Sequence, residues 1–93
     1  MAEAGEGSFV ATITNKLGLH ARAAAKLVEA AARFQSHIVV KKDGDAVDAR
    51  SILGLMMLNA RMGSQIEIRA KGVDAEEALA AIRALIEAKF GED

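Results

Sequence analysis

The chain of 93 residues contains no cysteine, proline, tryptophan or tyrosine, and only two histidines. Without cysteine there is neither a disulfide framework nor a thiolate metal site, and a reducing compartment is compatible. His20 and His37 are far apart in sequence and do not make a metal-ligand spacing, so no metal is expected. A glycine-rich nucleotide loop is also missing, which removes ATP binding by such a motif and leaves no cofactor to expect. Aromatic residues make up 3% of the sequence against 52% apolar residues overall. The core therefore has to be assembled from Ala, Val, Ile, Leu and Met packed between regular elements.

An excess of charge of either sign is lacking too. Twelve Lys and Arg face thirteen Asp and Glu, a formal charge of -1, which draws the chain to neither nucleic acid nor an anionic membrane. The longest apolar run, Ile52 to Leu58, is far too short to span a bilayer. Met1 to Val10 is acidic and Gly-rich, with neither the basic start nor the apolar stretch of a secretory signal. A cytoplasmic monomer without membrane insertion is expected. A chain this short carries one core, so residues 1–8 are expected to be a flexible tail and residues 9–91 a single domain.

What is present is regular periodicity. Phe9 to Thr14 alternates, with Phe9, Ala11 and Ile13 on one face, and predicts a strand. From Ala21 to Phe34, Ala23, Leu27, Ala31 and Phe34 recur at helical spacing opposite Arg22, Lys26, Glu29 and Arg33, which predicts an amphipathic helix beginning at about His20. Ile38–Lys42 and Ala46–Ala49 read as short strands joined by an Asp43-Gly44 hairpin turn. Ser51 to Ala60 reads as a short helix, capped by Ser51 and stopped by Gly63. Gln65 to Lys71 alternates most cleanly. A final helix follows, with Asp74 and Glu77 as its capping box, an apolar stripe from Ala78 to Phe90, and Gly91 as its stop. The order βαββαβα implies an α+β, open-faced sandwich: a four-stranded, mainly antiparallel sheet with three helices on one face.

His20 stands out because it falls where the loop after the first strand becomes a helix. The first N–H groups of a helix have no partner within it, and the helix dipole adds partial positive charge there, so an anion is favoured at that end. Arg22, two residues on, offers a guanidinium fork to phosphate oxygens. Between Phe9 and Val28 the charged residues are Lys16, Arg22 and Lys26, a basic locus in a near-neutral chain. An ordinary imidazole titrates at about 6.5, so near pH 7 much of it is neutral and able to attack phosphorus, forming a labile phosphoramidate.

The run Gly18-Leu19-His20-Ala21-Arg22 resembles the G-L-H-x-R phosphorylation motif of the histidine-containing phosphocarrier family, HPr. The resemblance extends from Phe9 through the Ala49-Arg50-Ser51-Ile52 start of the middle helix to the final strand and helix. Ile13 to Gly18 and Ala78 to Ala81 look like the nitrogen-related branch, NPr. The resemblance implies that His20 accepts the phosphoryl group on Nδ1, that Arg22 stabilises it, and that the backbone amides of Ala21 and Arg22 help hold it. It implies Enzyme I, charged by phosphoenolpyruvate, as donor and an Enzyme IIA as acceptor. The chain would then be a phosphocarrier of the phosphoenolpyruvate-dependent phosphotransferase system, consumed and regenerated in the relay rather than an enzyme. Most relatives carry Pro directly after the motif's Arg; here Ala23 stands there, which predicts an intact helix with a looser entry loop and puts the rate of transfer in doubt.

By the same resemblance Ser51 matches a position phosphorylated by a regulatory Ser kinase, and reversed by a phosphorylase, in some members, besides its capping role. The middle helix has more apolar residues than one buried stripe needs, so Ile52, Leu53 and Met56 are candidates for partner docking. His37 carries no company and no role. Two other readings remain: a small acylphosphatase-like hydrolase in which Arg22 and Asn59 bind phosphate and orient water, and a regulatory binding module acting only through Ser51 and the apolar helix.

Overall fold

The computed structural model describes residues 5–92. Met1–Ala4 of the expected tail lie outside them. The elements are β1 (Gly5–Thr12), α1 (Ala21–Ala32), β2 (His37–Lys42), β3 (Asp45–Asp48), α2 (Ile52–Met57), β4 (Gln65–Gly72) and α3 (Ala75–Glu87), closed by a 3-10 turn at Lys89–Gly91. The sheet order is β1-β4-β2-β3, and each neighbouring pair is antiparallel.

Register follows from alternation. Phe9 faces Ile68 and Ala11 faces Ile66 across β1 and β4, while Val40 faces Ile68 and Ile38 faces Ala70 across β2 and β4. A one-residue slip in either pair would move these apolar side chains to the opposite face. Val10, Val39, Lys41, Glu67, Arg69 and Lys71 occupy the alternate positions and form the open face. The helices cover the inner face: Ala23, Leu27, Ala30 and Ala31 of α1 and Ala75, Ala78, Ile82 and Ile86 of α3 share one buried cluster with the strands. Small alanines let these helices lie close to the sheet. Leu27 and Ile82, with no exposed surface, each remove enough apolar area to stabilise the fold by about 1.5–3 kcal/mol.

Several boundaries differ from the sequence reading, each for a local reason. β1 begins at Gly5, within the stretch expected to be a tail, because Gly5–Ser8 pair with Arg69–Gly72. Backbone pairing needs no side-chain alternation. A Cβ at Gly7 would lie 2.9 Å from the Leu79 Cδ1, so a larger residue there would have to shift that side chain. The Asp43-Gly44 turn has φ of 51° and 88°, the left-handed pair that a two-residue hairpin demands. α2 ends at Met57, six residues before Gly63, where Asn59 at φ 54° turns the chain. The Asp74–Glu77 capping box does not form. Asp74 instead accepts hydrogen bonds from the backbone N–H of Gln35 and Ser36 and from the Ser36 hydroxyl, tying the start of β2 to the start of α3. No helix among the described residues is long and apolar enough to cross a membrane.

Candidate functional site

The loop from β1 to α1 places His20, and three contacts fix that loop. Asn15, fully buried, donates from Nδ2 to the Gly18 carbonyl at 2.8 Å. Gly18 adopts φ 66°, and a Cβ on it would lie 2.6 Å from the Ala60 carbonyl oxygen, so glycine is needed both for its conformation and for the close approach. Leu19 then donates its N–H to that same carbonyl at 2.9 Å. Where relatives carry proline, Ala23 is fully buried in the first turn of α1, and the entry loop is held from Asn15 and Ala60.

His20 is the N-cap residue of α1, with extended backbone (φ −77°, ψ 180°) and no side-chain capping bond. Its carbonyl accepts the first helical hydrogen bond, from Ala24 N–H at 2.8 Å. The imidazole is thus free for other work, and the first-turn amides of Ala21 and Arg22 remain at the positive end of the helix dipole. Arg22 is exposed and shares a shallow depression with Lys16, Leu17, His20, Ala21 and Glu92. Its guanidinium forms no hydrogen bond or ion pair among the described residues.

Glu92 completes the site from the far end of the chain. Its two carboxylate oxygens lie 3.0 and 2.8 Å from His20 Nε2, and Oε1 also accepts from Asn15 Nδ2 at 2.8 Å. The Asn15 amide, then His20, hold the Glu92 carboxyl below its ordinary value near 4.5. A carboxylate can only accept hydrogen bonds, so Nε2 carries the ring proton and the lone pair of the neutral ring lies on Nδ1. The strap that delivers Glu92 is unusual. Lys89, Phe90 and Gly91 all take positive φ, at 56°, 55° and 75°, and Phe90 is fully buried. The left-handed conformation is unfavourable for the two non-glycine residues. Burial of the Phe90 ring and a hydrogen bond from Lys26 Nζ to its carbonyl hold the turn in place.

The sequence reading named His20, Ala21 and Arg22, and the structure places them at the cap and first turn of α1. It missed Glu92 and Asn15, which meet His20 only through tertiary folding; the local signal was no more than an acidic residue after Gly91. Ser51 caps α2 as expected, accepting from Gly54 N–H at 2.9 Å. Ile52 and Met56 are each 42% exposed, Leu53 69% and Met57 75%. Met56 lines a second depression with Leu17, Leu19, His20, Asn59 and Arg61, so the apolar face of α2 adjoins the imidazole. Arg22 and Asn59 open onto different depressions, and Asn59 Oδ1 accepts from Arg61 Nε at 3.4 Å, so the phosphate-and-water pair of a hydrolase is not assembled. His37, expected to lack company, lies 3.8 Å from the Asp48 carboxylate across the β2–β3 pair, with both side chains exposed.

Comparison with known proteins agrees with this geometry. Residues 8–88 match the family described as PTS HPr component phosphorylation site. The phosphocarrier protein HPr of Cupriavidus necator is 51% identical over 87% of this chain and 91% of its own length. The phosphocarrier protein NPr of Shewanella violacea is likewise 51% identical, over 87% of this chain and 89% of its own. A crystal structure of HPr-C-His from Thermoanaerobacter tengcongensis superposes with a TM-score of 0.90 at 46% identity, covering 94% of this chain and 98% of that one. The identities to these two relatives are equal and do not separate the two branches.

Proposed function

The chain belongs to the HPr family of phosphocarriers of the phosphotransferase system, and from that membership we propose that His20 Nδ1 takes the phosphoryl group from a phosphohistidine on Enzyme I and passes it to a histidine of an Enzyme IIA. In the forward step the Nδ1 lone pair attacks phosphorus in line, the nitrogen–phosphorus bond of the donor breaks, and the bonding pair returns to the donor imidazole. The His20 ring becomes cationic as its Nδ1–P bond forms. Its Nε2–H remains hydrogen-bonded to Glu92, which offsets that charge much as a buried carboxylate orients a catalytic imidazole. The Arg22 guanidinium and the Ala21 and Arg22 amides receive the phosphoryl oxygens at the helix end. Positioning and charge stabilisation carry such transfers, and each partner supplies the rest. The return step reverses the sequence, so the carrier emerges unchanged and acts stoichiometrically in a cytoplasmic relay.

The observation that carries this reading is the occupied Nε2: with Glu92 on that nitrogen, Nδ1 is the one left to react. In-line transfer between two histidines also requires the partner's surface to lie over His20, and therefore on the adjoining Leu17 and Met56, from which the exposed Ile52 and Leu53 continue the apolar face of α2. Ser51 is the regulatory position in this proposal. A phosphate on its hydroxyl would keep favourable contact with the helix amides yet set a dianion beside the apolar docking residues, weakening partner binding. Intact-mass analysis after incubation with Enzyme I and phosphoenolpyruvate tests the main claim. Wild type gains one acid-labile, base-stable phosphoryl group and His20→Ala gains none; labelling of His20→Ala would refute it.

A further inference from the structure

Sulfur in this chain is confined to methionine, and three of the four methionines lie close together in sequence, at 56, 57 and 62. Two of them belong to the exposed face of α2. Ile52, Leu53, Met56 and Met57 fall at i, i+1, i+4 and i+5, so their side chains form one contiguous apolar patch on the helix. Met57 is 75% exposed, and Met56 lines a depression with His20 itself. Both thioethers are therefore open to a small oxidant.

We propose that Met56 and Met57 are a reversible oxidation site, at which a peroxide converts the docking face from apolar to polar and slows phosphoryl transfer. The inference rests on the docking role given above to Ile52, Leu53 and Met56, and extends that role to Met57, which continues the same exposed patch. In the step, a thioether sulfur attacks one oxygen of hydrogen peroxide, a sulfur–oxygen bond forms and the oxygen–oxygen bond breaks. Sulfur is oxidised by two electrons, and the departing hydroxide takes the hydroxyl proton to leave as water. The product sulfoxide is a strong acceptor on a side chain that had none. When a partner covers the patch, that acceptor loses water and finds no donor in a surface matched to thioether and aliphatic groups, which costs about tenfold in binding. Enzymatic reduction by a thiol-dependent methionine sulfoxide reductase restores the thioether. The chemistry of His20 is untouched, because the imidazole and the Glu92 carboxylate are not oxidised in this step.

The full chain treated with hydrogen peroxide provides the test. Peptide mapping should place one added oxygen on each of Met56 and Met57, with the far-ultraviolet circular dichroism unchanged. Transfer from phosphorylated Enzyme I should then show a carrier KM raised about tenfold, recovered after reductase treatment. Labelling of His20 by phosphoramidate, a small donor that needs no docking face, should proceed at the untreated rate. Each variant is read against its own untreated sample: Met56→Leu/Met57→Leu should show no loss on oxidation, whereas Met62→Leu should lose as much as wild type. Failure of Met56 and Met57 to oxidise, oxidation without a change in KM, or a loss that follows Met62 would each overturn the inference, as would a parallel loss of phosphoramidate labelling. Met57→Glu in the unoxidised chain separates this from the docking reading. If it slows transfer while the sulfoxide does not, only the oxidation site falls; if it leaves transfer unchanged, the docking role of the face falls as well.

Discussion

Glu92 closes on His20, with both carboxylate oxygens within 3.0 Å of Nε2 although 72 residues separate the two in sequence. The imidazole thereby has two unlike sides. Nε2 is held by an anion, and Nδ1, which carries no hydrogen bond among the described residues, lies beside the positive end of α1. The contact orients the ring without occupying Nδ1, the nitrogen proposed to react.

Replacement of Glu92 by Ala should release the tautomer. Nitrogen-15 spectra of the neutral His20 ring should move from a single Nε2-protonated form toward a mixture of both forms. Both side chains keep some exposure, 26% for His20 and 20% for Glu92, so the loss in transfer rate is modest, roughly two- to fivefold. An unchanged ring spectrum would show that Glu92 does not set the reacting nitrogen.

Gly18 and Gly44 both have positive φ, yet their substitutions should differ. Gly44→Ala meets nothing within 4 Å and should lose only the conformational term, about 1–2 kcal/mol. Gly18→Ala carries the same term and also drives a Cβ to 2.6 Å from the Ala60 carbonyl. Urea denaturation should therefore show the larger loss at Gly18, accompanied by slower transfer, because the displaced loop carries His20. Equal losses would mean that the loop moves freely away from Ala60.

The contrast between local and long-range features decides what could be read from sequence. Leu27 and Ala31 of α1, or Ile66 and Ile68 of β4, repeat at the period of their own element, so their burial was visible without knowing the fold. His20 was visible because Gly18-Leu19-His20-Ala21-Arg22 resembles the family motif, and because a helix start is a local event that creates its own charge. Asp74 misled for the opposite reason: it stands where a capping residue stands, but its oxygens are engaged by Gln35 and Ser36, 39 and 38 residues away. Asn59 ended α2 early by a left-handed backbone that its residue type permits but does not demand. Asn15 and Glu92 joined the site across 77 residues, a contact that no periodicity encodes.

Acid should weaken the fold through two carboxyl groups. The Ser36 hydroxyl first, and then the Gln35 amide, hold Asp74 below its ordinary 3.8, and the Asn15 amide and His20 hold Glu92 below its ordinary 4.5. A carboxyl with a lower value in the folded than in the unfolded chain contributes its full stabilisation above the unfolded value, and loses it as pH falls through the folded one. Melting temperature should accordingly be independent of these groups at neutral pH and decline on acidification below about 4.5. Asp74→Asn should lower the neutral-pH melting temperature by several degrees and flatten the acid limb, whereas an acid limb as steep as that of wild type would assign the effect to other carboxyls.

Phe90 links the stability of the fold to the geometry of the site, and its truncation should separate the two in one experiment. The ring is fully buried, in a residue with φ of 55°, so Phe90→Ala removes the packing that holds a left-handed turn and leaves a cavity behind. Loss of a buried aromatic side chain costs about 3–5 kcal/mol, a large part of the stability expected of a domain this small. Without its anchor the strap no longer delivers Glu92, and the His20 ring should show the same mixed tautomers as Glu92→Ala, now in a destabilised chain. Phe90→Leu keeps much of the apolar volume and should preserve more of both properties. If Phe90→Ala melted early yet retained a single Nε2-protonated ring in its folded fraction, Glu92 would be reaching His20 by contacts other than the Lys89–Gly91 turn, such as its hydrogen bond from Asn15 alone.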